Sequence, residues 1–338
     1  MKGWKLTDKK TVLEEEIAVK ETVSNASKVK VTKAMIDLSD VLRYNGEMES
    51  ENVILGSYGL GIISETDANL LGLERGKRVY IENYKPCYEC FNCKQNHTEK
   101  CLNINTAAVD YDGFLCDFIS IDSDKLFVLP DSVTDDEALF IGDVSLALSV
   151  IDSLGIKKGD YITVIGANNF AVILSQLLIY YQAVPVIVGI DEEQNRIAKD
   201  SGIYYVLGPN DNWTKEVNAI TGGRMTTSVV YISDNNISVN KAFALASHGA
   251  NVAFTGISNK TGAIAFTQAI KKRLTIHCIA GETGNTSASI NLLANKAINL
   301  SKLKIAHDDY KNVPAVFSKL DEEYEKTGKV TETIIKVF

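Results

Sequence analysis

The sequence predicts an α/β protein in two parts, a β-rich first domain followed by a doubly wound parallel sheet with helices on both faces. Three observations predict it. Up to about residue 145, short alternating segments are broken by turns. From about Asp143, buried strand-like runs alternate with helical patterns. Finally, Cys87, Cys90, Cys93 and Cys101 crowd into fifteen residues of the first part. With 338 residues and 45% apolar composition, the chain is long enough for two ordinary domains with their own cores.

In the first part, VLEEEIAVKET (12–22), KVKVTKAMID (28–37) and KRVYIEN (77–83) alternate apolar with polar residues, as half-buried strands do. Gly46, Gly56, Gly59, Gly61, Gly72 and Gly76 punctuate them. The texture then changes. A helical pattern over 144–154 leads into the buried strand YITVIG (161–166), a helix over 171–182, the strand PVIVGID (185–191) and a helix over 192–202. The alternation continues through YYVL (204–207), a helix near 213–221, TSVVYIS (227–233), a helix near 239–247 and ANVAFTGI (250–257). Strands separated by helices imply a parallel sheet covered on both sides. After RLTIHCIAGE (273–282) come helices near 287–296 and 313–325 and a closing strand, ETIIKVF.

Charge and hydropathy exclude several classes. A net charge of −8, a pI near 5.2 and the lack of a long basic block disfavour nucleic acid, whose phosphates demand a positive face. The N-terminus is charged and has no apolar core, unlike a signal peptide. The longest apolar stretch, around Ala171–Tyr181, is interrupted by Ser175 and Gln176 and falls short of a membrane span. The expectation is a cytoplasmic protein that contacts neither membrane nor nucleic acid.

Thiolates spaced as Cys87, Cys90, Cys93 and Cys101 can wrap one tetrahedral ion, so one structural Zn²⁺ per chain is expected. The alternatives are an Fe–S cluster, free thiols or disulfides, the last disfavoured without a secretory signal or a wider cysteine framework. Four thiolates leave no open coordination position, so this metal would hold a loop and perform no chemistry. Cys116 and Cys278 lie in apolar neighbourhoods and are expected to be buried packing residues.

Between the strand at 161 and the next helix, the turn reads Gly166-Ala167-Asn168-Asn169-Phe170-Ala171, where a dinucleotide fold would place G-x-G-x-x-G. Gly166 keeps the tight turn, and Ala171 is a mild change. Asn168 puts a side chain where a pyrophosphate should approach the backbone. Asp191, twenty-five residues after Gly166, stands where an acid would accept hydrogen bonds from the adenine ribose and favour NAD(H) over its phosphorylated form. The other reading of Asp191 is a cap on the following helix, and both stay open.

Taken together, the cysteine cluster, LGIKKGDYITVIG, PVIVGIDEEQNRIAKDSG and the LTIHCIAG stretch resemble the zinc-containing medium-chain alcohol dehydrogenases over nearly the whole chain. The resemblance implies a GroES-like domain over 1–144 with its zinc lobe at 84–104, a Rossmann cofactor domain over 145–279, and a return to the first domain over 280–338. It also implies a small-molecule substrate in the interdomain cleft and a homo-oligomer.

Members of that family hold a second, catalytic zinc. Against their G-x-C-G-[ST]-D run this chain has Met35-Ile36-Asp37-Leu38-Ser39-Asp40, so Asp37 replaces the cysteine ligand. Against G-H-E it has Gly56-Ser57-Tyr58, so Ser57 replaces the histidine ligand and Tyr58 the glutamate. Asp143 matches the third ligand position, Ser39 the proton-relay hydroxyl, and Asp40 the carboxylate that orients the histidine. His97, His248, His277 and His307 all fall outside these runs. Two carboxylates and a hydroxyl suit Mg²⁺ or Mn²⁺ better than Zn²⁺, and without a third strong ligand the acids read as hydrogen-bonded cleft residues.

Three functions remain open. The first, which we adopt, is a zinc-independent NAD(H) oxidoreductase with Tyr58 and Ser39 as proton donor and relay. The second is a non-catalytic descendant that binds a nucleotide or small molecule. The third is altered chemistry with Asp37 or Asp143 as general base.

Overall fold

The computed structural model describes residues 1–17, 25–50, 52–66, 72–209, 212–233, 235–256, 262–281 and 284–338. The C-terminal half of the strand expected at 12–22, and the last residues of those expected at 250–257 and 273–282, lie outside them. The chain forms two compact units, Met1–Gly142 with Ile305–Phe338, and Asp143–Lys304.

The first unit is built on a seven-stranded sheet, ordered Ala306–Asp309, Thr333–Lys336, Ala26–Ile36, Tyr58–Thr66, Arg78–Ile81, Leu126–Val128, with Phe118–Asp122 also paired to Ala26–Ile36. The alternation seen in the sequence puts Val29 and Val31 into a core with Ile63, Val79, Phe114 and Phe317. At its C-terminal end, Ile36 hands the chain to the short helix Leu38–Tyr44, which is pinned from outside by Phe317 stacked on Tyr44 at 5.0 Å. That helix and the start of the strand Tyr58–Thr66 carry the polar cluster described below. The strand Thr11–Glu16 covers the described part of the one expected at 12–22, whereas its hairpin partner Lys2–Asp8 and the strand Ala306–Asp309 have no counterpart among the expected elements.

The second unit is a six-stranded, wholly parallel sheet. Its order is Tyr205–Leu207, Val184–Val188, Tyr161–Ile165, Thr226–Ile232, Ala246–Thr255, Thr275–Cys278. Numbered along the chain this is 3-2-1-4-5-6, the Rossmann arrangement, whose strand order reverses beside Tyr161–Ile165. Val164, Ile165, Val186, Val188, Val229 and Val252 are buried, as sheets covered on both faces require.

Two expectations are corrected. The return to the first unit starts at Ile305, not at 280, because segment 285–304 is tied to the second unit by side-chain bonds. Gln176 Nε2 donates to Asn299 O (2.9 Å) while Asn299 N donates to Gln176 Oε1 (2.7 Å). Asn169 makes the same reciprocal pair with Lys304, at 2.9 and 3.0 Å. Cys278 is exposed, because its strand forms the outer edge of the parallel sheet; Cys116 is fully buried. Among the described residues, no helix is long and apolar enough to cross a membrane.

Candidate functional site

The helix Leu38–Tyr44 starts with a reciprocal cap. Asp37 Oδ1 accepts from Asp40 N at 3.1 Å, and Asp40 Oδ2 accepts from Asp37 N at 3.4 Å. Asp40 then bridges to the next strand: its two oxygens accept the amides of Gly56 (2.9 Å) and Ser57 (3.1 Å). Gly56 has φ of +96°, and an added Cβ would meet Leu115 Cγ at 2.9 Å, so only glycine suits this approach. The result brings Asp37, Ser39, Asp40 and Ser57 together, four of the residues singled out by the sequence.

The sequence reading missed the fifth member, Arg43. One turn along the helix from Ser39, its Nη1 donates to Ser39 Oγ (3.0 Å) and Ser57 Oγ (3.2 Å) and lies 3.7 Å from Asp40 Oδ1. Ser39 Oγ donates to Asp37 Oδ1 at 2.6 Å and lies 3.0 Å from Ser57 Oγ. Arg43 is 5% and Asp40 0% exposed, and among the described residues Arg43 Nε has no hydrogen-bond partner. The available signal was spacing: a basic residue three and four positions beyond Asp40 and Ser39 shares their helix face. Burial pushes the Asp40 carboxyl up to about 7, with Asp37 adding to the effect, while Arg43 and the two amides hold it down.

Thus a guanidinium lies against the side chains of Ser39 and Ser57, and Asp37 is engaged as cap and as acceptor for Ser39. A catalytic zinc needs three protein ligands, and a cluster offering one engaged carboxylate and two hydroxyls bonded to a cation does not fit it. Tyr58 is half-buried, its ring against Gly142, where an added Cβ would lie 2.6 Å from Tyr58 Cε1. Asp143 belongs to the other unit, in the first turn of Ile141–Leu154.

The cysteine lobe forms a second centre. The sulfurs of Cys87, Cys90, Cys93 and Cys101 lie within 4.8 Å of one another, with Cys87 and Cys101 3.5 Å apart. A tetrahedral zinc with bonds of about 2.3 Å spaces its sulfurs about 3.8 Å apart, so the four fit it. Amide hydrogens point at the sulfurs, Cys87 N to Cys101 Sγ (3.2 Å) and Cys90 N to Cys87 Sγ (3.4 Å). The Leu102 and Cys93 amides pull the Cys90 thiol down to about 6, while burial pushes that of Cys93 up to about 12. The lobe is anchored by Tyr88 Oη donating to Asp124 (3.0 Å) and by Lys125, paired with Glu82 at 3.1 Å beneath Tyr84 and Tyr88.

In the second unit, Gly166 keeps φ at +113°. Asn168 does not project outward: it is the N-cap of Asn169–Tyr180, and its Oδ1 accepts from Ala171 N at 2.8 Å. That amide is one a bound pyrophosphate would use. Asp191 likewise caps its own helix, Glu192–Asp200, accepting from Gln194 N at 3.0 Å. Asn168 and Asp191 thus both turn a side-chain oxygen onto their own helices.

Comparison with known proteins fits this geometry. Residues 24–131 match the Alcohol dehydrogenase GroES-like domain family. An uncharacterised zinc-type alcohol dehydrogenase-like protein of Haemophilus influenzae is 25% identical over 323 residues, 94% of each chain. Over nearly its whole length the chain is thus similar to zinc-type alcohol dehydrogenases. L-threonine 3-dehydrogenase of Vibrio parahaemolyticus, 24% identical, covers 87% of the chain and is itself covered over 89%. Among solved folds, a short chain alcohol dehydrogenase of Escherichia coli, crystallised with NADH, superposes with a TM-score of 0.86. It is 21% identical, with 100% of this chain and 99% of that one covered. The first unit therefore carries the GroES-like domain, and the second has the Rossmann fold.

Proposed function

We propose that the protein is an NAD(H)-dependent oxidoreductase that interconverts a small alcohol and its carbonyl compound at the Asp37–Ser39–Ser57 cluster without a catalytic zinc. The observation that carries this reading is Arg43, whose guanidinium is bonded to the hydroxyls of both Ser39 and Ser57. A fixed cation replaces the charge of a metal, and it needs no thiolate or imidazole to hold it. Bound NAD(H) would accept or give the hydride. Its pyrophosphate would lie over Gly166 at the N-terminus of Asn169–Tyr180, and its adenine ribose against Asp191. The family resemblance and the neighbour crystallised with NADH support this assignment. The cysteine quartet would hold one structural zinc. Tyr58, beside Ser57, is a second proton donor to consider, and Asp143 remains a candidate cleft residue.

A non-catalytic reading is favoured by one observation: Asn168 and Asp191 both spend their side chains on their own helix ends. Titration of the purified protein with NADH, followed by fluorescence, separates the two. Saturable binding followed by consumption of NADH on a panel of small carbonyls supports the oxidoreductase. Binding without consumption supports the second reading, and no binding removes the first.

A homo-oligomer is part of the same proposal. Among the described residues the strand Thr275–Cys278 is an edge of its sheet, and Ile276 on it and Ile270 and Phe266 on the preceding helix are 41, 73 and 64% exposed. Light scattering should report a mass of two chains or more, and Ile270→Lys should lower it.

A further inference from the structure

The hydrogen bonds of the Arg43 cluster have a direction that follows from donor chemistry alone. A guanidinium only donates, so both Ser39 Oγ and Ser57 Oγ accept from Arg43 Nη1. An ionised carboxylate only accepts, so the single Ser39 proton goes to Asp37 Oδ1, at 2.6 Å. The remaining contact, Ser39 to Ser57 at 3.0 Å, must then be donated by Ser57. The chain therefore runs Ser57 to Ser39 to Asp37, from a side chain 5% exposed to a carboxylate that is half-buried. Ser57 Oγ keeps one lone pair free for a further donor.

We infer that Ser57, Ser39 and Asp37 form a proton path, polarised by Arg43, that takes the hydroxyl proton of the substrate alcohol and delivers it to Asp37. The inference rests on the oxidoreductase reading above. During oxidation the C–H bond of the alcohol breaks and its hydride passes to NAD⁺. The O–H proton goes to Ser57 Oγ, the Ser57 proton to Ser39 Oγ, and the Ser39 proton to the Asp37 carboxylate, which releases it to water. The products are the carbonyl compound, NADH and one proton, and reduction runs the same steps backward. Ser57 is the catalytic group, since it touches the substrate; Ser39, Asp37 and Arg43 act through it. Asp37 stands where the family has a metal-binding cysteine, so the path ends on the residue that replaced a ligand.

The direction can be read without turnover. In protein labelled at serine ¹³Cβ and dissolved in equal parts light and heavy water, a hydroxyl held against exchange gives a doubled ¹³Cβ signal. Ser39 and Ser57, identified by their loss in Ser39→Ala and Ser57→Ala, should both be doubled. Ser57→Ala should leave the Ser39 signal doubled, because that proton is held by Asp37. Ser39→Ala should collapse the Ser57 signal to one line. The opposite pattern, or single lines for both serines in the parent, overturns the path. In turnover, Asp37→Asn keeps a capping side chain but removes the base. It should slow alcohol oxidation by about a hundredfold or more. Ser39→Ala should behave alike, Ser39→Thr should restore the rate, and NADH affinity should stay unchanged in all three. Parent-like rates in Asp37→Asn overturn the path even where NADH is consumed. Loss of NADH binding in the parent instead overturns the oxidoreductase reading, and with it the substrate of the path, whatever the serine signals show.

Discussion

Arg43→Met takes the cation out of a buried cluster that contains two carboxylates, while keeping a straight apolar side chain of similar reach. Asp40 is 0% exposed, 3.7 Å from the guanidinium, and pushed by burial to about 7 from an ordinary value of 3.8. An acid raised in this way binds its proton more tightly when folded. Its contribution to stability is fully present below 3.8 and is lost as pH rises through about 7. At about 1.4 kcal/mol for each tenfold change in acidity, that loss is on the order of 4 kcal/mol. Without Arg43, Asp40 loses an effect that held it down, so its titration moves further up and the loss extends to more alkaline pH. Near about pH 5.5, Asp40 is protonated in both proteins, and the variant should be weaker by only about 1–3 kcal/mol, the cost of leaving the serine acceptors without their donor. Near about pH 9 the buried charge stands unpaired, and the difference should grow to about 3–5 kcal/mol. Urea unfolding measures it. The two tryptophans fall in different units, so a Trp213→Phe background leaves Trp4, bonded to Tyr310 O at 2.9 Å, to report the first unit alone. A destabilisation equal at both pH values, or below about 1 kcal/mol at both, would refute the role given to Arg43.

Elemental analysis of protein purified without chelator should find one zinc per chain, and well under one would count against the cysteine site. Cys93→Ser should raise amide exchange across 84–104 while leaving the Rossmann unit unchanged. Asn168→Gly with Ala171→Gly should tighten NADH binding measurably by calorimetry, because removing the cap frees the Ala171 amide for the pyrophosphate; unchanged affinity would show that the turn does not limit binding. NAD should be preferred over its 2′-phosphorylated form through repulsion by Asp191, a preference Asp191→Asn should weaken. Tyr58→Phe should cost less than about tenfold in turnover if Ser57 receives the proton, and a loss of about a hundredfold would move the acid–base role to Tyr58.

Much of the fold was legible because its signals are local. The runs at 161–165, 184–188 and 226–232 are short and rich in β-branched residues, which marks them as buried strands, and the helices between them make the sheet parallel. The cysteine spacing likewise encodes its cluster directly. The Asp37, Ser39 and Ser57 positions came from the family pattern, and packing brings them together. What the sequence hid is what depends on hydrogen-bond choice. An aspartate or asparagine before a helix can cap it or reach a ligand, and at Asp191 and Asn168 the cap was taken. No motif marks Arg43, and only the folded chain brings Ser57 beside the helix face that Arg43 shares with Ser39. Segment 285–304 looked like part of the return because side-chain amide pairs such as Gln176 with Asn299 leave no periodic trace.

The central claim, hydride transfer without a catalytic metal, is tested most directly by following deuterium from NADH labelled at the transferable position into a carbonyl substrate. The preparation should be shown beforehand to contain one zinc per chain. Deuterium at the carbinol carbon of the product, at a rate unaffected by adding zinc, is the predicted result. Transfer that appears only when a second zinc is bound, or no transfer while NADH is bound, would contradict it.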